Sequence, residues 1–199
     1  MKRGMIILGL LIIGSILFQG VVKKSTDSVG QWPYKSVWTD GVFEVREYSK
    51  AIMASVEHTG DMDVARNDAF RDLAGYIFGG NDRKEEIAMT APVVMNESDG
   101  GMSMRFVMPI EYDVSELPEP DNKDVLIEEQ DGFIAASIAF DGFANERDFE
   151  KKADELMAWC KQNAIEIMGE PLYLGYDPPF KLIDRLNEVI VKVESRPVK

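Results

Sequence analysis

The chain has 199 residues, enough for one hydrophobic core but too few for two ordinary domains with linkers. Its net charge of −13 would repel a phosphate backbone, which argues against nucleic acid as a partner. A single cysteine excludes an intrachain disulfide framework, and a single histidine excludes metal sites built on two or three histidines.

The first 22 residues are typical of an export signal, because Lys2 and Arg3 precede an apolar run from Gly4 to Val22. Neither an Ala-x-Ala-type cleavage site nor a lipoprotein cysteine follows this run. The run is also just long enough to span a bilayer as an uncleaved signal anchor. With the amino terminus inside, the acidic body would lie outside the cytoplasm.

We therefore expect residues 1–22 to be either a cleaved signal peptide or a transmembrane signal anchor. The protein would be secreted in the first case, and in the second it would be anchored to the membrane, facing the periplasm or the exterior. Residues 23–36 are polar and contain Gly30 and Pro33, which is typical of a tether. The folded domain is predicted over residues 37–199.

The first half of the body is predicted to fold as two strands, a helix and two further strands. Alternating apolar and polar residues predict strands over residues 42–48, 51–57, 86–95 and 102–108. Asp61 supplies an N-cap for the helix, and Gly79 supplies the left-handed residue that commonly follows a helix end. Pro92 indicates an edge position or a bulge in the third strand.

The second half repeats this order of elements. Strands are predicted over residues 125–129, 133–140, 171–176 and 188–193. A helix should begin at Asn145, with Asp148 completing its cap, and end at Gly169. Since neither half can cover its sheet alone, we predict an α+β fold: a distorted antiparallel β-barrel of two ββαββ-like halves with two flanking α-helices.

Residues that could carry chemistry are few, and no catalytic constellation is visible. His58 follows a predicted strand and is either a loop histidine or a ligand or base. Cys160 lies on the apolar stripe of the second helix, which favours a buried inert thiol over a nucleophile. Core packing is favoured over haem ligation for the methionines that crowd one pair of strands: Met89, Met95, Met102, Met104 and Met108. We therefore predict that the protein is not an enzyme.

Several short motifs occur in one order along residues 40–194. They are FEVREY at 43–48, IAMTAPV at 87–93, FDGF at 140–143, GYDPPFK at 175–181 and RLNEV at 185–189. In these motifs the chain resembles the SOUL haem-binding protein family. The resemblance implies a distorted β-barrel with two helices, and binding of haem or other tetrapyrroles without a catalytic activity shared across the family.

The resemblance also implies a ligand site. It places an apolar groove along the first helix and a lysine in the loop that follows Gly-Tyr-x-x-Pro. The helix arginine of the family falls on Asn67, beside Arg66 in this sequence. The implied site residues are Arg66, Phe70, Leu73, Ile77 and Lys181.

Histidine ligation of iron is not expected. One branch of the family carries an axial histidine just before a tyrosine, and this chain has Glu47 before Tyr48. Haem or metal-free porphyrin should therefore bind about equally well, with no metal site on the protein itself.

The predicted function is that of a tetrapyrrole carrier, buffer or sensor outside the cytoplasm. The partner would be a tetrapyrrole small molecule; the protein would be monomeric and would contact the membrane only through its N-terminal segment. An interaction or effector-binding module for another small amphipathic ligand or a protein partner is the alternative. A tetrapyrrole-modifying enzyme is a third and weaker interpretation.

Overall fold

The computed structural model describes residues 30–98, 100–177 and 181–194. The predicted signal or anchor over residues 1–22 therefore lies outside the described residues. Within them, no helix is both long enough and apolar enough to cross a membrane.

The secondary structure consists of strands with two long helices between them. The strands are β1 (Gly30–Gln31), β2 (Tyr34–Asp40), β3 (Phe43–Tyr48), β4 (Ala51–Thr59), β5 (Thr90–Ala91), β6 (Val93–Ser98), β7 (Gly101–Val107), β8 (Leu126–Gln130), β9 (Phe133–Asp141), β10 (Leu172–Gly175) and β11 (Leu186–Lys192). The α-helices are α1 (Met62–Ile77) and α2 (Glu146–Gln162), and a 3-10 turn covers Val114–Glu116.

The fold begins before residue 37, so the tether predicted over 23–36 is too long. Strand β1 and the first three residues of β2 lie within that range. Trp32, between them, is buried: its ring lies 4.8 Å from that of Tyr48 and 5.5 Å from that of Phe133, and its indole N–H donates to the Ser49 carbonyl. The polar composition of this segment reflects a strand at the edge of the sheet.

Both helices begin where their caps predict. The Asp61 carboxylate accepts a hydrogen bond from the Val64 amide in α1, and Asn145 and Asp148 form a capping box at α2. Helix α1 ends as expected, just before Gly79 with φ +96°.

Helix α2 ends at Gln162, not at Gly169 as predicted. Ala164 takes a left-handed conformation with φ +55°, and the Asn163 side chain donates to the Trp159 carbonyl. The apolar pattern extends beyond α2 because the irregular segment that follows the helix also contributes to the core. Ile165 of this segment is buried, and Ile167 forms a β-bridge with Val193.

The strand predicted over 86–95 is interrupted, and its regular part starts at Thr90. Pro92 separates β5, which pairs in parallel with β1, from β6, which belongs to the main sheet. Pro92 is predicted to mark an edge position or a bulge; the structure instead interrupts the strand there, since proline cannot donate to a strand ladder.

The main sheet has nine antiparallel strands in the order β2-β3-β9-β11-β10-β6-β7-β4-β8. The halves exchange their first strands: β3 pairs with β9 of the second half, while β8 pairs with β4 of the first. Strands β6 and β10 join the halves at the centre. The predicted α+β class, with two similar halves and two flanking helices, is confirmed.

Successive side chains of each strand point to opposite faces of the main sheet, and apolar residues are buried on both faces. Helix α1 packs on Ala54, Val56 and Phe106 of β4 and β7, and α2 packs on Ile138 and Val189 of β9 and β11. The opposite face, which we call the inner face, carries its own apolar cluster of Met53, Val94, Val107, Leu174 and Ile190.

Candidate functional site

An open groove with a volume of about 320 Å³ lies between the two helices, above the central strands β6 and β10. We call it the interhelical groove. The residues that define it are Arg66, Phe70, Met95, Phe149, Tyr173 and Arg185. It straddles the junction of the two halves, so neither half forms it alone.

Apolar side chains form most of the groove. Phe70 of α1 is 39% exposed, and its ring meets that of Phe106 edge-on at 5.5 Å. On the opposite wall, Phe149 of α2 lies 5.0 Å from the ring of Tyr173. Methionines from β6 and β7 contribute flexible, polarizable surface: Met95, Met102 and Met104. The groove is suited to a flat apolar molecule.

Two guanidinium groups reach the groove from opposite sides. Arg66 comes from α1, where its guanidinium forms a long ion pair of 3.5 Å with the exposed Asp63. Arg185 comes from the segment before β11 and lies over the Phe143 ring, with its guanidinium carbon 4.6 Å from the ring centre. Guanidinium groups are suited to carboxylates, so the groove combines apolar walls with groups that recognise anions.

Lys181 does not line the groove. Its ammonium nitrogen is buried and lies 2.6 Å from a carboxylate oxygen of Asp177, whose other oxygen accepts from the Leu186 amide at 2.6 Å. Arg185 donates to the carbonyls of Lys181 and Asp177, at 2.9 and 3.2 Å. Lys181 therefore holds the segment that positions Arg185, instead of presenting its own charge to a ligand.

The helix residues of the predicted site separate into two sets. Arg66 and Phe70 are one turn apart and both line the groove, as does Asn67. Leu73 and Ile77 are 0% and 1% exposed and belong to the core beneath α1. Leu73 is rotated toward the sheet, and Ile77 lies two turns beyond Phe70, where the Ile87 amide donates to its carbonyl.

Sequence reasoning missed several groove residues. Arg185 opens the RLNEV motif, but its position in the motif does not indicate that it reaches the groove. Strand alternation could have placed Met95 and Met104 on the helix side of their strands. Nothing in the sequence indicates that Tyr173 of β10 lies beside β6, because that pairing joins the two halves.

His58 and Cys160 lie elsewhere. The His58 Nε2 atom is 2.8 Å from a carboxylate oxygen of Asp72, an interaction that links β4 to α1. Cys160 is fully buried against the sheet, and burial raises the pKa of its thiol to about 11. The interpretation of Cys160 as an inert core thiol is therefore confirmed.

A larger cavity of about 660 Å³ lies beside β1 and β5. Its cation Lys50 is already paired with Glu129 at 2.6 Å, and Glu111 and Asp113 add two more carboxylates to its lining. An anionic ligand would be repelled there, so the smaller interhelical groove is better matched to an apolar anion.

Sequence comparison places the chain among known proteins. The SOUL heme-binding protein family matches residues 29–192. "Heme-binding protein 1" of Mus musculus is 31% identical over 184 residues, covering 85% of this chain and 96% of that protein. "Heme-binding protein 2" of Homo sapiens is 29% identical over 170 residues, covering 80% and 82%.

Comparison of structures finds the same fold at much lower identity. The C-terminal domain of EcmrR matches with a TM-score of 0.58 and 11% identity, over 82% of this chain and 99% of that one. A protein titled as a hydrolase from Listeria innocua matches with a TM-score of 0.56 and 10% identity, over 86% and 97%. At such identities the likeness concerns the fold alone.

Proposed function

Because the chain belongs to the SOUL haem-binding family, we propose that it binds haem or another tetrapyrrole in the interhelical groove. The observation that carries this proposal is the pair Arg66 and Arg185, which flank apolar walls. Haem is a flat apolar plate with two propionates, and a site for it needs that combination.

The residues present fit such a ligand. Phe70 and Tyr173 offer ring surface to the macrocycle, and the methionines adapt to its shape. The volume of about 320 Å³ is at the lower end of ligand pockets, which span about 300–1,000 Å³. Part of the macrocycle would thus remain in solvent, where the propionates meet the guanidinium groups.

Iron is not needed for binding in this proposal. The lining of the groove includes no histidine, and the single histidine of the chain is bonded to Asp72. We therefore expect haem and metal-free porphyrin to bind with similar affinity. That behaviour suits a carrier, buffer or sensor of tetrapyrroles better than a haem enzyme.

The test is a titration of the full chain with haem and with protoporphyrin IX, followed by absorbance and by fluorescence quenching. Arg66→Met and Arg185→Met should each weaken binding several-fold, and the double variant by about tenfold or more, a loss of about 1.4 kcal/mol. Arg71→Met is the matched control, because Arg71 lies on the same helix, pairs with Asp68 and does not line the groove.

Salt should narrow the difference between these variants and the natural protein, since the guanidinium groups are partly exposed. Equal affinity of the double variant and the natural protein at low ionic strength would remove the groove from the binding site. A porphyrin that binds far more weakly than haem would instead show that the iron is ligated.

We propose an extracytoplasmic location on the basis of residues 1–22. An uncleaved anchor would keep the full-length chain in the membrane fraction until detergent is added. Mass spectrometry of the purified protein would show a mature start near residues 20–26 if the segment is a cleaved signal. A full-length chain that remains soluble without detergent would contradict both alternatives.

A further inference from the structure

A second cavity, of about 540 Å³, opens on the inner face, on the side of the sheet opposite the helices. Strands β6, β7, β4 and β8 form it. We call it the inner cleft. The residues that define it are Ser55, Asn96, Ser103, Arg105, Leu126 and Glu128.

Arg105 projects from β7 into this cleft with few partners. One terminal nitrogen donates to Asn96 Oδ1 at 3.2 Å, while the buried Nε has no hydrogen-bond partner. Arg105 forms no ion pair with any side chain that the structure describes. A buried donor without an acceptor costs about 1–3 kcal/mol, so the hydrogen bonding of this guanidinium within the protein is incomplete.

The positive charge of Arg105 is also incompletely neutralised. Burial lowers the pKa of Arg105, and Glu128 and Glu57 only partly offset this. Lys192 of β11 is close enough to be affected: burial, then the nearby Arg105 charge, lower the pKa of Lys192. Both cations face the inner side of the sheet, and both would be stabilised by an added negative charge.

The same sheet shows what satisfies such an arginine. Arg46, on β3, donates both terminal nitrogens to the two carboxylate oxygens of Glu188, at 2.9 and 2.8 Å. That carboxylate comes from within the chain. Carboxylates also line the inner cleft, but among the described side chains none of them is paired with Arg105 as Glu188 is with Arg46.

We propose that the inner cleft binds a small monocarboxylate, whose carboxylate accepts from Arg105 as Glu188 does from Arg46. The Ser103 side chain also lines the cleft and can donate a further hydrogen bond to the carboxylate, and Leu126 provides apolar contact for a short aliphatic chain of the ligand. The cleft is also lined by Lys123 and by three carboxylates, those of Glu57, Asp124 and Glu128. Because the carboxylates outnumber the two cations, a dianion would be repelled more strongly than a monoanion, so a monocarboxylate is favoured over phosphate or a dicarboxylate. This proposal does not rest on haem binding, because the two sites occupy opposite faces of the sheet.

Butyrate is the probe, and the Arg105 Nε–H resonance of the ¹⁵N-labelled full chain is the direct reporter. We expect this resonance to shift and saturate with butyrate, and succinate and inorganic phosphate to bind more weakly at the same ionic strength. Saturation with phosphate before butyrate, or no shift of the Nε–H resonance, would overturn the proposal.

Variants give an independent readout by calorimetry. Arg105→Met should weaken butyrate binding about tenfold or more, Arg105→Lys by an intermediate factor because the planar fork is lost, and the surface control Arg71→Met not at all. Arg185→Met should bind butyrate normally, which separates this site from the interhelical groove. Unchanged butyrate affinity in folded Arg105→Met would contradict the assignment.

Discussion

Two arginines on one face of the sheet differ in how their charges are satisfied. Arg46 is 3% exposed, lies 4.1 Å from the centre of the Tyr34 ring and is bonded to both oxygens of Glu188. Arg105 lies in an open cleft, where it donates to the side chain of Asn96 and pairs with no carboxylate of the described residues.

Arg105 and Glu188 occupy equivalent positions on the two sides of the junction between the halves. Val94 of β6 pairs with Leu174 of β10, and these two residues pair outward with Arg105 and Glu188, respectively. Equivalent positions of the two halves therefore carry opposite charges. The halves share the same order of strands and helix, but the buried charge is paired within the protein in one half and incompletely paired in the other.

The N-terminal segment accounts for much of the difference. Trp32 and Tyr34 cover the second half of the inner face, where Arg46 and Glu188 lie. A fully covered charge requires an internal partner, because desolvation without one is expensive. Among the described residues that line the inner cleft around Arg105 there is no aromatic side chain, so a cation with an incomplete set of partners is tolerated there.

The largest expected effect on stability comes from disrupting the buried pair of Arg46 and Glu188. Glu188→Gln should lower the free energy of unfolding by about 3 kcal/mol, because it removes the carboxylate bonded to both terminal nitrogens of the buried Arg46 and leaves the partly exposed Glu44 at its Nε. Arg105→Met should change stability by less than about 1 kcal/mol, or raise it, since it removes a poorly compensated charge. Urea unfolding of both variants at pH 7 measures the contrast, and equal losses would abolish the distinction between the two arginines.

The Lys181–Asp177 pair tests whether the rule for covered charges is general. Lys181→Glu should cost about 3 kcal/mol, because two buried carboxylates would then face each other. Lys152→Glu, at the more exposed pair with Glu155, is the control and should cost less than about 1 kcal/mol.

The same variants sharpen the role of Lys181 in ligand binding. Since Lys181 and Asp177 hold the carbonyls to which Arg185 bonds, Lys181→Met should weaken haem binding even in the folded protein. Haem affinity in Lys181→Met equal to that of the natural protein, with Arg185→Met impaired, would show that the loop holds its shape without the pair.

Tyr176 stabilises the buried pair of Arg46 and Glu188, and its ionisation makes the stability of the protein depend on pH. Its hydroxyl donates to Glu188 at 2.6 Å, and Tyr176→Phe should cost about 2 kcal/mol at pH 7. Burial, and then the Glu188 charge, raise the pKa of Tyr176 above its ordinary value of about 10. Its contribution to stability is therefore complete below pH 10 and is lost as the pH rises beyond that value.

Denaturation at stepwise pH from about 8 to 11 measures this signature. Stability of the natural protein should fall above about pH 10, and Tyr176→Phe should show a shallower fall. Parallel curves for the two proteins would mean that Tyr176 ionises as readily in the folded state as in the unfolded one.

The smallest expected effect comes from giving Arg105 an internal partner. Asn96→Asp should raise stability by about 1 kcal/mol, because it places a carboxylate where Arg105 already donates. The same substitution should weaken butyrate binding by competing for the guanidinium. A loss of stability would indicate that repulsion from Glu128 and Glu57 outweighs the new pair.

Much of the local structure follows from the sequence, because it depends on neighbours along the chain. The caps at Asp61 and Asn145 and the break at Pro92 each act within a few residues. The end of α2 did not follow, since Ala164 takes a left-handed conformation that favours glycine or asparagine, and the packing of Ile165 outweighs that cost.

The residues of the candidate site likewise separate into those that the sequence predicts and those that depend on tertiary packing. The motifs indicated the family, the α+β fold and two groove residues, Arg66 and Phe70, which share one helix face. Leu73 belongs to the same apolar stripe, and only the position of the sheet decides that it faces the core while Phe70 faces the groove. An apolar side chain satisfies either surface, so periodicity cannot separate them.

By itself, then, the sequence determined the order of the elements, their caps and the family, because these depend on local geometry and on short motifs. Only the tertiary structure decided the exchange of strands β3 and β8, the junction of β6 and β10 beneath the groove, and the partners of the buried cations. Lys181 and Arg185 are four residues apart, yet one is covered by Asp177 and the other reaches the groove. Charge pairing depends on distance in space and on desolvation, and neither is encoded by spacing along the chain.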